Sequence, residues 1–264
     1  MRCFFNLNES APHFWNYGEM LKVAILSLRR HTSMEPVVVY DGGDNYLSRW
    51  IAGYGVELIH HRCLLYPELE RLASATGDPS RITHGAGILL KADLPDICAE
   101  RGWGGERILF CDCDVMFQAD PAYDWPALDG ACFAVGPEEA AGAPERFNTG
   151  VMLIDVPAML PRAEPFRRFL AEILPEAAKI SWDQHAYRLF FRQEEWRPLR
   201  AELNWKPYWG PNPGARIVHF HGPKPWMRAD IASGRIDAAH APLAVPSFYD
   251  WCARWDAFFA ENVR

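Results

Sequence analysis

The sequence predicts an α/β fold in which a mostly parallel central sheet is flanked by helices, for two reasons. First, short apolar and β-branched runs, typical of buried strands, alternate with segments of helical spacing. Second, the apolar run over residues 107–111 stops abruptly at Asp112 and Asp114, and open α/β sheets bind their ligands at such strand ends. With 264 residues, 49% of them hydrophobic, the chain can bury a large core. We expect a single domain spanning residues 1–264.

The individual elements follow from this alternation. Strands are predicted over residues 3–7, 36–40, 56–59, 107–111, 131–135, 147–155 and 215–221. Helices are predicted over residues 20–28, 86–98 with a bend at Pro95, and 182–192, and a closing C-terminal helix at about 246–263. Residues 137–146 are rich in Pro, Gly and Glu and should form a mobile surface loop.

The composition excludes several classes of protein. A net charge of −7 argues against nucleic-acid binding as a main activity, because such proteins present a basic face to phosphates. No apolar run approaches 18 residues, and the N-terminus lacks the apolar core of a signal peptide. The seven cysteines are odd in number and scattered, several within apolar runs, which is typical of free thiols. These features predict a cytoplasmic protein without a transmembrane segment.

Two common phosphate-binding signatures are absent from the sequence. It contains neither G-x-x-x-x-G-K-[ST] nor a G-x-G-x-x-G after the first strand, so no glycine-rich loop is available to hold phosphate on backbone amides. Cys111-x-Cys113 could be half of a zinc site, but no second cysteine pair has suitable spacing, and burial in the strand is favoured. Any phosphate must therefore be held by a metal and by side chains.

The Asp112-Cys-Asp114 motif offers carboxylates for such a metal. Side chains two residues apart on a strand share a face, with Cα atoms roughly 6–7 Å apart, so both carboxylates can converge on one divalent cation. The alternative is a strand that merely ends in an acidic turn. The remaining motifs favour the metal site.

A second group of polar residues follows the predicted strand over residues 215–221. His219 and His221 are placed on one face of this strand, and Gly222 and Lys224 follow in a proline-containing turn. An imidazole together with two carboxylates suits Mn²⁺ better than the all-oxygen sites of Mg²⁺ or Ca²⁺. Lys224 would supply the charge that a diphosphate needs. The alternative for His219 is a purely structural histidine.

These motifs, in this order, resemble those of retaining GT-A glycosyltransferases of family 8, which includes glycogenin and bacterial lipopolysaccharide glycosyltransferases. Asp112-Cys-Asp114 resembles the family's D-x-D motif, and the segment from His219 to Trp226 resembles H-x-x-G-x-x-K-P-W. Tyr17 resembles the aromatic residue that stacks on the donor base, and Lys91 the basic residue that reaches the donor sugar. The resemblance implies the metal ligands Asp112, Asp114 and His219, and the donor-binding residues Tyr17, Lys91, Asp112, Asp114, Gly222 and Lys224.

Two further motifs of the resemblance concern the transferred sugar. Asn148-Thr149-Gly150 resembles N-[AS]-G, and Asp183-Gln184 resembles the D-Q pair beside the anomeric carbon. The resemblance thus implies Asn148, Asp183 and Gln184 as catalytic residues. From the residues alone, Asn148 could equally lie in a turn, Asp183 could be a helix N-cap, and Lys91 could be a solvated helical lysine.

The chain departs from the family pattern at three places. Extra residues stand between Leu7 and Tyr17, so the base-binding turn need not follow the family's shape. One residue fewer separates Gly222 from Lys224, which leaves the reach of Lys224 open, as well as the choice between His219 and His221 as metal ligand. Thr149 stands where the family has Ala or Ser, and we expect it to crowd the sugar pocket.

The activity implied by the resemblance is metal-dependent retaining transfer of a hexose from a nucleoside diphosphate sugar. We expect a UDP-linked donor, Mn²⁺ or another divalent cation as cofactor, and a hydroxyl acceptor on a carbohydrate, a lipid-linked sugar or a protein. The alternatives are a sugar-nucleotide hydrolase or nucleotidyltransferase with the same metal site, and a catalytically inactive sugar-nucleotide-binding protein.

The last predicted helix carries an apolar stripe formed by Phe248, Trp251, Trp255 and Phe258. Such a stripe can bind a membrane surface or a partner, or it can pack on the protein's own core. Asp250, Asp256 and Glu261 lie among these residues and lysines are few, which favours packing on the core over binding to a membrane. Peripheral membrane contact remains the alternative.

Overall fold

The protein forms a seven-stranded central sheet flanked by helices, seen here in a computed structural model that describes residues 1–143 and 146–263. The strands are β1 (Arg2–Asn8), β2 (Glu35–Asp41), β3 (Glu57–His60), β4 (Arg107–Cys111), β5 (Val115–Phe117), β6 (Phe133–Pro137), β7 (Phe147–Asp155), β8 (Trp196–Pro198) and β9 (Ile217–His219). The order in the sheet is β3-β2-β1-β4-β7-β6-β8, and β5 pairs with β9 in a separate two-stranded sheet.

The central sheet is mostly parallel, as predicted. Strand β1 runs parallel to β2 and β4, β2 to β3, and β6 to β8, whereas β7 is antiparallel to both β4 and β6. Side chains alternate between the two faces of β4, and both faces are buried: Ile108 and Phe110 belong to one apolar cluster, Leu109 and Cys111 to another. Burial on both faces explains the continuous apolar runs in the sequence.

The helices cover the two faces of the sheet. They are α1 (Phe14–His31), α2 (Tyr46–Gly53), α3 (Tyr66–Thr76), α4 (Ser80–Leu89), α5 (Leu94–Glu100), α6 (Val156–Ile180), α7 (Asp183–Phe190), α8 (Arg228–Ala232) and α9 (Pro246–Asn262). Local signals set several boundaries. Asn45, for example, caps α2 by accepting hydrogen bonds from the backbone N–H groups of Leu47 and Ser48.

The predicted helix over residues 86–98 is wrong as a single element. The chain forms α4, a 3₁₀ turn over Leu90–Asp93, and then α5. Pro95 lies in the first turn of α5, where a missing N–H costs no intrahelical hydrogen bond. The break therefore precedes Pro95, and it places Lys91 in the 3₁₀ turn.

The predicted strand over residues 215–221 is shorter than expected. Strand β9 has only three residues because its partner β5 begins directly after Asp114 and is equally short. His221 lies beyond the strand, so the expectation that His219 and His221 share a strand face is wrong.

The predicted surface loop over residues 137–146 is described except at positions 144 and 145, which lie outside the described residues. Pro137 is the last residue of β6, and the N–H of Glu138 donates to the carbonyl of Arg146 over 2.8 Å. This hydrogen bond continues the pairing of β6 with β7 into the two described ends of the segment.

The apolar stripe of α9 packs on the core. Phe248 and Trp251 are buried in a cluster with Met20 and Val23 of α1, and Trp255 and Phe258 pack partly buried against the same cluster. Within residues 1–143 and 146–263, no helix combines the length and the apolar character needed to cross a membrane.

Candidate active site

A cavity of about 400 Å³ lies at one edge of the central sheet. Strands β1 and β4 end there, and β7 begins there because it runs antiparallel to β4; the N–H of Asp112 donates to the carbonyl of Gly150 over 2.7 Å. The cavity is lined by residues from every predicted motif, including Tyr17, Lys91, Asp112, Asp114, Asn148, Thr149, Asp183, Gln184 and His221. The sequence motifs therefore converge on one place in the fold.

Asp112, Asp114 and His219 form a compact group of potential metal ligands. One side-chain atom from each of them lies within 4.8 Å of the others. The group depends on the short sheet, since the pairing of Val115 with His219 places the imidazole beside the D-x-D motif. Nε2 of His219 lies 3.2 Å from Oδ1 of Asp114 and 3.8 Å from Oδ2 of Asp112.

Two features of this group fit a bound cation. Oδ1 of Asp114 is buried and has no hydrogen-bond partner among the residues that the structure describes, which is costly unless another group supplies positive charge. Gly150 leaves room for the ligands, because a Cβ atom there would come within 2.2 Å of Cε1 of His219 and 2.7 Å of Oδ2 of Asp112. A mixed nitrogen and oxygen donor set of this kind suits a transition-metal ion such as Mn²⁺.

Lys224 extends into the same group from the turn that follows β9. Its Nζ lies 2.5 Å from Oδ2 of Asp114 and donates to the carbonyl of Phe220 over 2.6 Å. Burial alone would raise the pKa of Asp114, but the attraction of the Lys224 ammonium, the largest opposing cause, lowers that pKa far below its usual range. The shorter segment before Lys224 thus still lets the side chain reach the cluster.

Lys91 is a second buried cation at the cavity. Its Nζ lies 3.3 Å from Oδ1 of Asp112 and 3.1 Å from Oδ2 of Asp183, and it donates to the carbonyl of Thr149 over 3.1 Å. Burial disfavours the ammonium, yet the two carboxylates outweigh this and raise the pKa of Lys91. Lys91 is therefore a buried, charged residue, and its interpretation as a solvated helical lysine is wrong.

Thr149 takes a role that the sequence did not predict. Its hydroxyl donates to Oδ2 of Asp183 over 2.8 Å, and the side chain is buried. Asp183 is the first residue of α7, and the N-cap position belongs to Trp182. Neither a surface turn at Asn148 nor an N-cap at Asp183 describes the structure.

The side chains of Asn148 and Gln184 are hydrogen-bonded to each other. Nδ2 of Asn148 donates to Oε1 of Gln184 over 2.9 Å, and Nε2 of Gln184 donates to Oε1 of Glu138 over 2.5 Å. Glu138 also pairs with Arg188 of α7. Glu138 and Arg188 belong to the site although no motif in the sequence pointed to them.

The remaining predicted residues take different positions. Tyr17 lines the cavity, and burial raises its pKa to about 12; its ring meets that of Trp226 edge to face at 5.0 Å. Gly222 has a positive φ of 85° at the turn before Lys224, which a side chain would strain. Nδ1 of His221 lies 2.9 Å from the hydroxyl of Tyr208, and His221 is not part of the metal-ligand group.

Known structures with the same architecture were identified by comparison. The galactosyltransferase LgtC, crystallised with donor and acceptor sugar analogues, is 16% identical with a TM-score of 0.66, and the match covers 100% of this chain and 97% of LgtC. The chain has the GT-A fold. Mouse xyloside xylosyltransferase 1 is 15% identical with a TM-score of 0.56, covering 83% of this chain and 97% of that protein.

A longer protein also contains the fold. The glycosyltransferase GlyE of Streptococcus pneumoniae is 15% identical with a TM-score of 0.60, and the match covers 98% of this chain but 62% of GlyE. No family model and no curated protein matches the sequence. The GT-A likeness expected from the motifs is thus confirmed by these structures at the level of the fold.

Proposed function

We propose that the protein is a metal-dependent retaining glycosyltransferase that moves a hexose from a nucleoside diphosphate sugar, UDP-linked, to a hydroxyl acceptor. The observation that carries this proposal is the group of Asp112, Asp114 and His219, flanked by the buried ammonium groups of Lys91 and Lys224. The GT-A fold, shared with LgtC and xyloside xylosyltransferase 1, supports it.

The difficult step of such a reaction is the departure of the diphosphate as the sugar becomes oxocarbenium-like. A divalent cation held by Asp112, Asp114 and His219 would neutralise negative charge on the leaving group. Lys224 is preorganised for the same task, because its ammonium is already fixed beside Asp114 in a buried place where charge is poorly screened. The Lys224 ammonium therefore need not move when negative charge develops on the leaving diphosphate.

The sugar itself would be held on the other side of the cavity. Asn148, Asp183 and Gln184 are buried, yet all three line the cavity. Their hydrogen bonds to each other and to Thr149 fix their rotamers, and rigid polar groups of this kind orient a hydroxylated ring. We propose that these three residues contact the transferred sugar.

A substrate panel tests the proposal. The protein is incubated with Mn²⁺ and UDP-, GDP- and ADP-linked hexoses, each with and without carbohydrate acceptors, and the products are identified by mass spectrometry. Transfer that requires both metal and acceptor supports the proposal. Hydrolysis without transfer at any acceptor concentration, or full turnover in excess EDTA, would contradict it. Binding of the donor with no turnover would identify a catalytically inactive binding protein.

Two variants link the result to the site. Asp112→Asn should abolish turnover and weaken Mn²⁺ binding, because it removes a charged ligand without changing the side-chain shape. Asp250→Asn is the matched control, since Asp250 is an exposed residue of α9. Equal loss of activity in both variants would show that the effect is not specific to the metal-ligand group.

A further inference from the structure

A continuous chain of hydrogen bonds joins the metal-ligand group to the sugar side of the cavity through Asn204. Oδ1 of Asn204 lies 2.9 Å from Nδ1 of His219, and its Nδ2 donates to Oδ1 of Asn148 over 3.1 Å. Asn148 then bonds Gln184, which bonds Glu138. Asn204 is completely buried and does not line the cavity, so it can act only through its neighbours.

The direction of every hydrogen bond in this chain is fixed by backbone groups that can only donate. The N–H of Gly150 donates to Oδ1 of Asn148 over 3.1 Å, which makes that atom an acceptor and turns Nδ2 towards Gln184. The N–H of Thr149 likewise donates to Oε1 of Gln184 over 3.2 Å. Because Oδ1 of Asn148 is the acceptor, Asn204 must present its Nδ2 there.

The same logic determines the tautomer of His219. With Nδ2 committed to Asn148, Asn204 turns its Oδ1 to His219, and an amide oxygen can only accept. Nδ1 of His219 must therefore carry the proton. In the neutral ring this leaves the lone pair on Nε2, the atom that faces Asp112 and Asp114.

The fold holds Asn204 in this place from two directions. Gly136 provides the space, because a Cβ atom there would come within 2.7 Å of Cβ of Asn204, and the register of β6 against β7 shifts between Val135 and Gly136. Nζ of Lys206 donates to the carbonyls of Pro137 and Asn204 over 2.9 and 3.0 Å. These contacts join the end of β6 to the 3₁₀ turn over Ala201–Asn204.

We infer that Asn204 is a positioning residue that holds His219 as the Nδ1–H tautomer, ready to bind a cation through Nε2, and that couples this ring to Asn148. The inference rests on the proposed metal-dependent function for its role in catalysis. The tautomer itself follows from the hydrogen-bond chain and can be measured without any metal. Outer partners of this type are worth about 10–100-fold in metal affinity or activity.

The decisive measurement is the ¹⁵N–¹H correlation spectrum of the histidine rings in the metal-free protein, at a pH where His219 is neutral. The wild-type protein should show His219 as the Nδ1–H tautomer, with His219→Gln identifying the signal. Asn204→Asp keeps an acceptor for Nδ1 but removes the donor to Asn148. It should therefore preserve the tautomer and Mn²⁺ affinity and lower turnover.

Asn204→Leu removes both hydrogen bonds at similar volume. It should lose the fixed tautomer and bind Mn²⁺ about 10–100-fold more weakly, measured by titration calorimetry. Tyr208→Phe is the matched control, because it removes the hydroxyl beside Nδ1 of the neighbouring His221, and Mn²⁺ affinity should not change.

The outcomes separate this inference from the proposed function. An Nε2–H tautomer in the wild-type protein, or its appearance in Asn204→Asp, would overturn the role of Asn204 even if Asn204→Leu fails to fold. Unchanged Mn²⁺ affinity in a folded Asn204→Leu variant would overturn it as well. If the wild-type protein shows the Nδ1–H tautomer but binds no Mn²⁺, the positioning of His219 stands and the proposed function fails.

Discussion

Nζ of Lys224 lies 2.5 Å from Oδ2 of Asp114, and both side chains are buried. Burying two charges costs solvation free energy that their attraction repays only when both partners are present. The pair connects the turn after β9 to the D-x-D motif, so the same contact that brings Lys224 to the cavity also affects the stability of the fold.

Removing the Lys224 ammonium should therefore lower the stability of the protein. We expect Lys224→Met to lower the free energy of unfolding by about 3–5 kcal/mol, because the Asp114 carboxylate would be left buried without its cation. Urea denaturation followed by circular dichroism measures this change. Arg49→Met is the control: it breaks the exposed pair with Asp44 and should cost about 0–1 kcal/mol.

Added Mn²⁺ refines this test. A cation bound by Asp112, Asp114 and His219 would neutralise the buried charge of the Asp114 carboxylate. Mn²⁺ should therefore stabilise the Lys224→Met variant more than it stabilises the wild-type protein. Equal stabilisation of both proteins by Mn²⁺ would show that Asp114 and the cation do not interact.

The Thr149 hydroxyl provides a second test, on the sugar side of the cavity. It donates to Asp183, which is also paired with the ammonium group of Lys91. Thr149→Val removes this donor at nearly constant volume, and we expect kcat to fall by about tenfold, equivalent to about 1.4 kcal/mol, because Asp183 loses its fixed orientation. Thr149→Ser keeps the hydroxyl and should retain kcat within about twofold. A Thr149→Val enzyme as active as the wild type would contradict this role.

The apolar strand that ends before Asp112 and Asp114 predicted the metal-ligand part of the site, whereas the sugar-side residues were expected from the family resemblance. Asp112 directly follows β4 and Asn148 lies near the start of β7, and the antiparallel pairing of these strands brings the end of one to the start of the other. Residues at one edge of a sheet converge whatever the connecting segments do. Sequence motifs at strand ends therefore predicted the cavity although the helix bounds were inaccurate.

The parts that the sequence did not reveal depend on tertiary packing. Helix α6 contains Pro161, Pro165 and Pro175, which disfavour a helix interior; it forms because its apolar side, including Phe166 and Leu170, is buried against the core. Asn204 lies in a 3₁₀ turn without any periodic pattern, and the backbone hydrogen bonds of Trp205 with Ile217 and His219 bring it beside His219. In the sequence, Asn204 is marked only by its place between the apolar residues Leu203 and Trp205.

Gly150 provides a third test, of the space that the metal ligands need. In Gly150→Ala the new Cβ would overlap His219 and Asp112. We expect Mn²⁺ affinity to fall at least about tenfold, and stability to fall by about 1–3 kcal/mol because the site is tightly packed. Gly53→Ala is the control, since nothing lies within 4 Å of a Cβ there. Wild-type Mn²⁺ affinity in Gly150→Ala would show that the ligands do not close around this position.

Replacement of His219 and replacement of His221 should have different effects on the protein. His219→Ala should reduce Mn²⁺ affinity at least about tenfold, whereas His221→Ala should leave it unchanged and lower turnover at saturating Mn²⁺. Burial lowers the pKa of His221 well below its usual value, so its ring is neutral at pH 7. Calorimetric titration of both variants distinguishes the roles. Loss of the metal only in His221→Ala would reverse the assignment.

The stereochemistry of transfer provides the last test. Within residues 1–143 and 146–263, the carboxylates that line the cavity besides Asp112 and Asp114 are Glu138 and Asp183. An inverting enzyme needs a general base that is free to take a proton from the acceptor. Both of these carboxylates are engaged, because Glu138 is paired with Arg188, and Asp183 with Lys91.

We therefore expect the product to keep the anomeric configuration of the donor. Proton NMR of the first-formed product, recorded before mutarotation or hydrolysis, measures the coupling constant of the anomeric proton and so its configuration. Glu138→Gln serves as the control, because it removes the carboxylate and should leave the configuration of the product unchanged. An inverted product would exclude the retaining mechanism proposed here.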